Sequence, residues 1–167
     1  MLESLLSRLG WLAMLLLLQV CVFNHVHIFG YATPMPYIYF LLILPSHTSR
    51  WVYVTAGFAM GLLIDCFTNT PGMAAGATCL TGLLVPPLLK LSAPSDAEEE
   101  FVPSHRNMEW GAFVRYGCMA TLIHCTAFFA LETFSLFDWQ TLLINIAGST
   151  LLTTLFIIAM ELIRNGK

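Results

Sequence analysis

Apolar residues fall along the chain in six runs divided by short polar or turn-forming stretches, approximately 8–28, 33–45, 51–67, 73–91, 111–133 and 140–163. Runs of this length and composition predict transmembrane helices. The first is leucine-rich, follows a single arginine and lacks a small-residue cleavage site after it, so it reads as an uncleaved span. The second, PMPYIYFLLILP, is short for a full crossing unless its helix begins near Ala32 or the bilayer is locally thin. The third and fourth make a hairpin, because Thr68, Asn69, Thr70, Pro71 and Gly72 are turn formers between two apolar runs. Pro86 and Pro87 are expected to kink or end the fourth helix, since proline removes a donor and clashes with the preceding turn. Residues 92–110, SAPSDAEEEFVPSHRNMEW, are acidic and proline-bearing with no apolar face, which predicts a mobile loop.

Within the third span Gly57, Gly61 and Asp65 recur every four residues and so share one helix face, while Gly72 and Gly76 open a second small-residue stripe on the next span. Small residues at this spacing let helices approach closely in lipid, and the stripes have two readings, internal packing or a partner interface. Asp65 also has two, a turn cap accepting donors from Thr68 or Asn69, or an intramembrane acid that handles a ligand or proton.

Composition makes the membrane reading firm: 57% of the 167 residues are apolar and 10% charged, with a mean hydropathy of +0.76. The fold class is all-α, one polytopic domain spanning 1–167, with the acidic loop 92–110 inside it. A net charge of -3 gives no hint of nucleic acid. With six spans and a cytoplasmic N-terminus, Arg8, Arg50, Lys90, Arg106, Arg115, Arg164 and Lys167 all fall on or near the cytoplasmic side. Both termini are then cytoplasmic, and Asp65, Glu132 and Asp138 gather toward the outer side. Cys21, Cys66, Cys79, Cys118 and Cys125 have no metal or secreted-domain spacing; reduced thiols are the default, with a Cys21–Cys66 pair as the alternative.

Other polar residues in or near the spans have ordinary readings beside functional ones. His124 bonds a neighbouring helix or contacts a ligand, with Glu132 two turns away on roughly the same face. His25 and His27 lack the further ligands a metal site needs. Arg115 snorkels or pairs with Glu109, and Glu161 with Arg164 reads as a surface pair. No nucleophile stands beside a base and no phosphate loop is present, so no enzyme, catalytic residue, metal or cofactor is expected. An intramembrane enzyme would need His124 and Asp65 at one substrate.

The segment from about Gln19 to Gly76 resembles the rod shape-determining protein MreD family. What carries the resemblance is the order of PMPYIYFLLILP, a polar turn, GFAMGLLID, a second turn and PGMAAGA. The acidic loop has no counterpart in that pattern. The resemblance implies a bacterial inner-membrane subunit of the elongation complex. Such a subunit works with the bitopic MreC, the actin-like MreB and, through them, RodA and its penicillin-binding transpeptidase partner. It also implies a six-helix fold similar to the substrate-binding components of energy-coupling factor transporters, and no catalytic residue. Pro45, Gly57, Gly61, Asp65, Gly72 and Gly76 carry over as structural or partner-contact positions. The expected function is a non-enzymatic scaffold that coordinates peptidoglycan synthesis and cell shape. In the alternative, a small-solute binding transporter component, a vitamin-sized molecule would sit near Asp65, Trp139 and Glu132.

Overall fold

A computed structural model describes residues 2–23, 32–93, 101–133 and 139–165, with side chains for 10–23, 32–93, 101–133 and 139–164. The described residues are helical: α1 (Leu2–Cys21), a 3-10 turn (Pro36–Ile38) running into the short α2 (Tyr39–Leu42), α3 (Arg50–Thr68), α4 (Met73–Ser92), α5 (Trp110–Thr133) and α6 (Trp139–Asn165). The last four are long and apolar enough to cross a membrane. The chain is a multi-pass membrane protein. His25, His27, the acidic run 96–100 and Asp138 lie outside the described residues.

Helices α3 to α6 pack as consecutive neighbours, and α1 leans on α3 and on the 36–42 segment. Arg50 opens α3, Lys90 closes α4, Arg115 sits early in α5 and Arg164 late in α6, which gathers these four basic residues at one end of the bundle. Apolar side chains such as Leu151, Leu155 and Ile163 remain outward at 56–71% exposure. Such faces suit lipid, where burial against protein gains little over burial against acyl chains.

The second expected span departs from a crossing helix. Its helical part covers three residues of 3-10 and four of α-helix, about 12 Å against a hydrocarbon core of about 30 Å. Tyr37, Ile38, Tyr39, Leu41 and Leu42 are at most 1% exposed, so this segment forms the centre of the core rather than a lipid-facing wall. Irregular backbone leads into it, and its donors are met by side chains. Thr33 N–H donates to Ser149 Oγ at 3.0 Å and Met35 N–H to Thr153 Oγ1 at 2.9 Å. Gln19 Nε2 donates to the Pro34 carbonyl at 3.3 Å. Irregular backbone at membrane depth is tolerated only where protein satisfies it, and here a hydroxyl ladder on α6 does so.

Of the two outcomes expected at Pro86 and Pro87, a kink or an end, the end does not occur: helix α4 continues through both to Ser92. Two further expectations are corrected. Residues 101–109 are docked, not loose: Ser46 N–H donates to the Phe101 carbonyl at 2.9 Å, Phe101 N–H returns a bond to Ser46 Oγ at 3.0 Å, and Met108 is 2% exposed. Helix α1 also ends earlier than the expected 8–28 run, at Cys21.

Candidate functional site: a cavity opposite the basic end

The α3–α4 hairpin sets the position of everything near the site. A Cβ on Gly57 would lie 2.6 Å from the Thr78 carbonyl oxygen, and one on Gly61 2.5 Å from the Ala74 carbonyl oxygen. On the other side, a Cβ on Gly82 would lie 2.5 Å from the Tyr53 carbonyl oxygen. The glycine face of α3 is therefore occupied by α4, through Ala74, Thr78 and Gly82, which are also four apart. The second small-residue stripe expected at Gly72 and Gly76 is not the one α3 meets; the residues in contact lie two positions further on. Gly76 turns toward Leu131 of α5, and Gly72 has φ of 85°, the left-handed region that glycine enters without strain. Pro45 is buried, and its carbonyl accepts the Tyr53 hydroxyl at 3.1 Å.

Asp65 is 4% exposed and does cap: its backbone carbonyl accepts the Asn69 N–H, while its carboxylate takes donors beyond Thr68 and Asn69. Its Oδ1 accepts from Thr70 Oγ1 and Ala74 N–H, both at 2.9 Å, and its Oδ2 from Gly72 N–H at 3.1 Å and Ala75 N–H at 2.9 Å. The first turn of a helix presents unpaired N–H groups and a partial positive charge, so a carboxylate reaching across the turn closes α4 from outside. Four donors thus occupy the acceptor sites of the carboxylate.

His124 is fully buried and ties three elements together. Thr81 Oγ1 donates to the Ala77 carbonyl at 2.7 Å and lies 3.3 Å from His124 Nδ1. With its hydrogen spent on Ala77, Thr81 accepts Nδ1–H, which leaves Nε2 to accept the Tyr37 hydroxyl at 2.8 Å. The tautomer is assigned from this network.

Above Tyr37 lies a cavity of about 440 Å³. Gln19 and Val20 of α1, Thr33, Met35 and Tyr37 of the buried segment, and Ile64, Phe67 and Thr68 of α3 form part of its wall. Thr70 and, on α5, Phe128, Phe129 and Glu132 complete it. The solute site expected near Asp65, Trp139 and Glu132 is thus shifted. Glu132 lines the cavity, Asp65 stands behind Thr70, and Trp139 is 58% exposed. Cys21 and Cys66 are free thiols.

The basic end holds a second buried polar cluster, which the sequence reading missed. Glu161 is 0% exposed, so the expected surface pair with Arg164 is instead a buried hub. Its Oε2 accepts the Tyr39 hydroxyl at 2.7 Å and lies 3.0 Å from an Arg164 guanidinium nitrogen. Its Oε1 accepts His105 N–H at 2.8 Å and lies 3.2 Å from His105 Nδ1. Arg164 also donates to the Pro103 carbonyl at 2.9 Å and lies over the Tyr39 ring, while His105 stacks on Trp110 with centroids 4.5 Å apart. Glu161 thus makes ion pairs with both Arg164 and His105, and Arg115 is exposed.

No protein-family model matches the chain, and no curated protein or solved structure matches it.

Proposed function

We propose that the chain is a non-enzymatic scaffold subunit of the bacterial rod complex in the inner membrane, with six passages and both termini cytoplasmic. In this reading it couples MreC and MreB to peptidoglycan synthesis by RodA and its transpeptidase partner. The observation that carries the proposal is the employment of the family-like residues: Pro45, Gly57, Gly61 and Asp65 make the centre of the fold, and their polar atoms are spent inside it. A molecule whose buried polar groups serve architecture acts through its surface. Because α4 fills the glycine face, a partner's span would meet the outward faces of α1, α5 or α6. Affinity purification of the tagged chain from its native membrane in mild detergent, followed by mass spectrometry, should recover MreC and wall-synthesis enzymes. Their absence from a folded, monodisperse preparation would sink the scaffold.

The cavity favours a second reading, a small-solute binding component. Its volume lies within the range of small-molecule sites, and its wall mixes aromatic and polar side chains. Recovery of an ATPase module with the tagged chain would support this reading over the first.

A further inference from the structure

We propose that the cavity takes an acyl chain of a membrane lipid, which enters from the bilayer beside Phe67 and leaves its head group at the level of Thr68 and Glu132. The inference rests on the solute-binding reading and changes where the ligand comes from, the bilayer rather than the water. Its first support is depth. Helix α3 has 19 residues, a rise of about 28 Å against a hydrocarbon core of about 30 Å, so its end at Thr68 marks the edge of that core. Ile64 lies one turn inside this edge, and Phe129 lies one turn before Thr133, where α5 ends. Both line the cavity together with Met35, and all three are at most 4% exposed. The floor is thus apolar and at the depth of acyl chains, while Thr68, Thr70 and Glu132 stand at the level of head groups.

The second support is that the wall runs into the lipid-facing surface. Phe67 lines the cavity yet is 69% exposed, and Leu63, one turn earlier on the same face of α3, is exposed as well. On α1, Val20 lines the cavity and Leu17, three positions earlier, is exposed. Such surfaces suit acyl chains, so a chain passes from the bilayer to the floor along apolar side chains. The polar groups near the floor are engaged within the protein: the Tyr37 hydroxyl lies 2.8 Å from His124 Nε2, and the Gln19 amide donates to the Pro34 carbonyl. An apolar chain there strips neither group of its partner, whereas a polar solute would have to surrender its own water.

Photolabelling of the full chain in phosphatidylethanolamine–phosphatidylglycerol vesicles tests this, with a trace of phosphatidylethanolamine carrying a diazirine midway along one acyl chain. Peptide mass spectrometry should find adducts on Met35, Ile64 or Phe129, which bulk lipid does not reach, beside adducts on the outward Leu151. Val20→Trp and Thr68→Trp fill the cavity from two different helices, and each should lower labelling of the floor about tenfold while Leu151 is labelled as in wild type. Floor labelling unchanged in both variants, or a floor left unlabelled while Leu151 reacts, would overturn the lipid site. A parallel sample with a water-soluble benzyl glucoside bearing the same diazirine keeps the two readings apart. Labelling of the floor by the glucoside and not by the lipid would overturn this inference and retain the solute-binding reading. Labelling by neither, with no small molecule released from the denatured protein, would overturn both.

Discussion

Two buried carboxylates hold this molecule together from opposite ends, and they do it differently. Asp65 accepts only from residues five to ten positions ahead of it, so it closes one hairpin. Glu161 accepts from Arg164 three positions on, but also from residues 56 and 122 positions away, and so joins α6, the buried 36–42 segment and the docked loop. The first fixes a turn and the second fixes a topology. A carboxylate's influence in a bundle is set by how far along the chain its donors come from, more than by its depth.

This contrast can be broken at four points. The largest effect is expected from Gly61→Leu, which drives a side chain into the α4 backbone and should cost about 4 kcal/mol or more. Failure to recover a monodisperse protein by size exclusion is the outcome to look for, and a well-behaved variant would show that the hairpin is looser than its geometry. Glu161→Leu should cost about 3 kcal/mol, because Arg164 and Tyr39 lose their acceptor. Its distinguishing mark is local: with residues 101–109 released, trypsin should cut after Arg106 about tenfold faster than in wild type. Asp65→Asn should cost about 1–3 kcal/mol in thermal unfolding, since the amide presents donors where the α4 N–H groups need acceptors. The Arg106 cleavage rate should stay at the wild-type value. A rise there would mean that the two carboxylates act as one unit. Thr70→Val removes one of the four Asp65 donors and should cost only about 1 kcal/mol by the same unfolding measurement.

Four long helices were legible because each is an apolar run bounded by residues that cannot continue it. Asn69 in the left-handed region and Gly72 with positive φ make the hairpin turn that the Thr68 to Gly72 composition announced. The glycines of α3 were readable as a close-packing face, yet the residues they meet were not, because Ala74, Thr78 and Gly82 look unremarkable beside Gly72 and Gly76. Glu161 was misread for a different reason. Spacing of three from Arg164 is what a surface pair shows, and nothing local tells that Tyr39 and His105 arrive from elsewhere in the chain. The run 33–45 carried the hydropathy of a span, but hydropathy does not register whether neighbouring side chains will supply backbone hydrogen bonds. Of the cavity, only Glu132 stood out in the sequence, since the others are ordinary core residues until the fold brings them together.

The hydroxyl ladder on α6 has a consequence for how the protein is made. The irregular backbone at Thr33 and Met35 finds its acceptors 116 and 118 residues later in the chain. At a synthesis rate of roughly 5–20 residues per second, that is a delay of about 6–24 s. During this time the segment has neither a helix long enough to be released into lipid nor the neighbours that satisfy its donors. The helix that carries Ser149 and Thr153 is therefore the one that lets the second segment settle, and the centre of the bundle is completed only once α6 has been made.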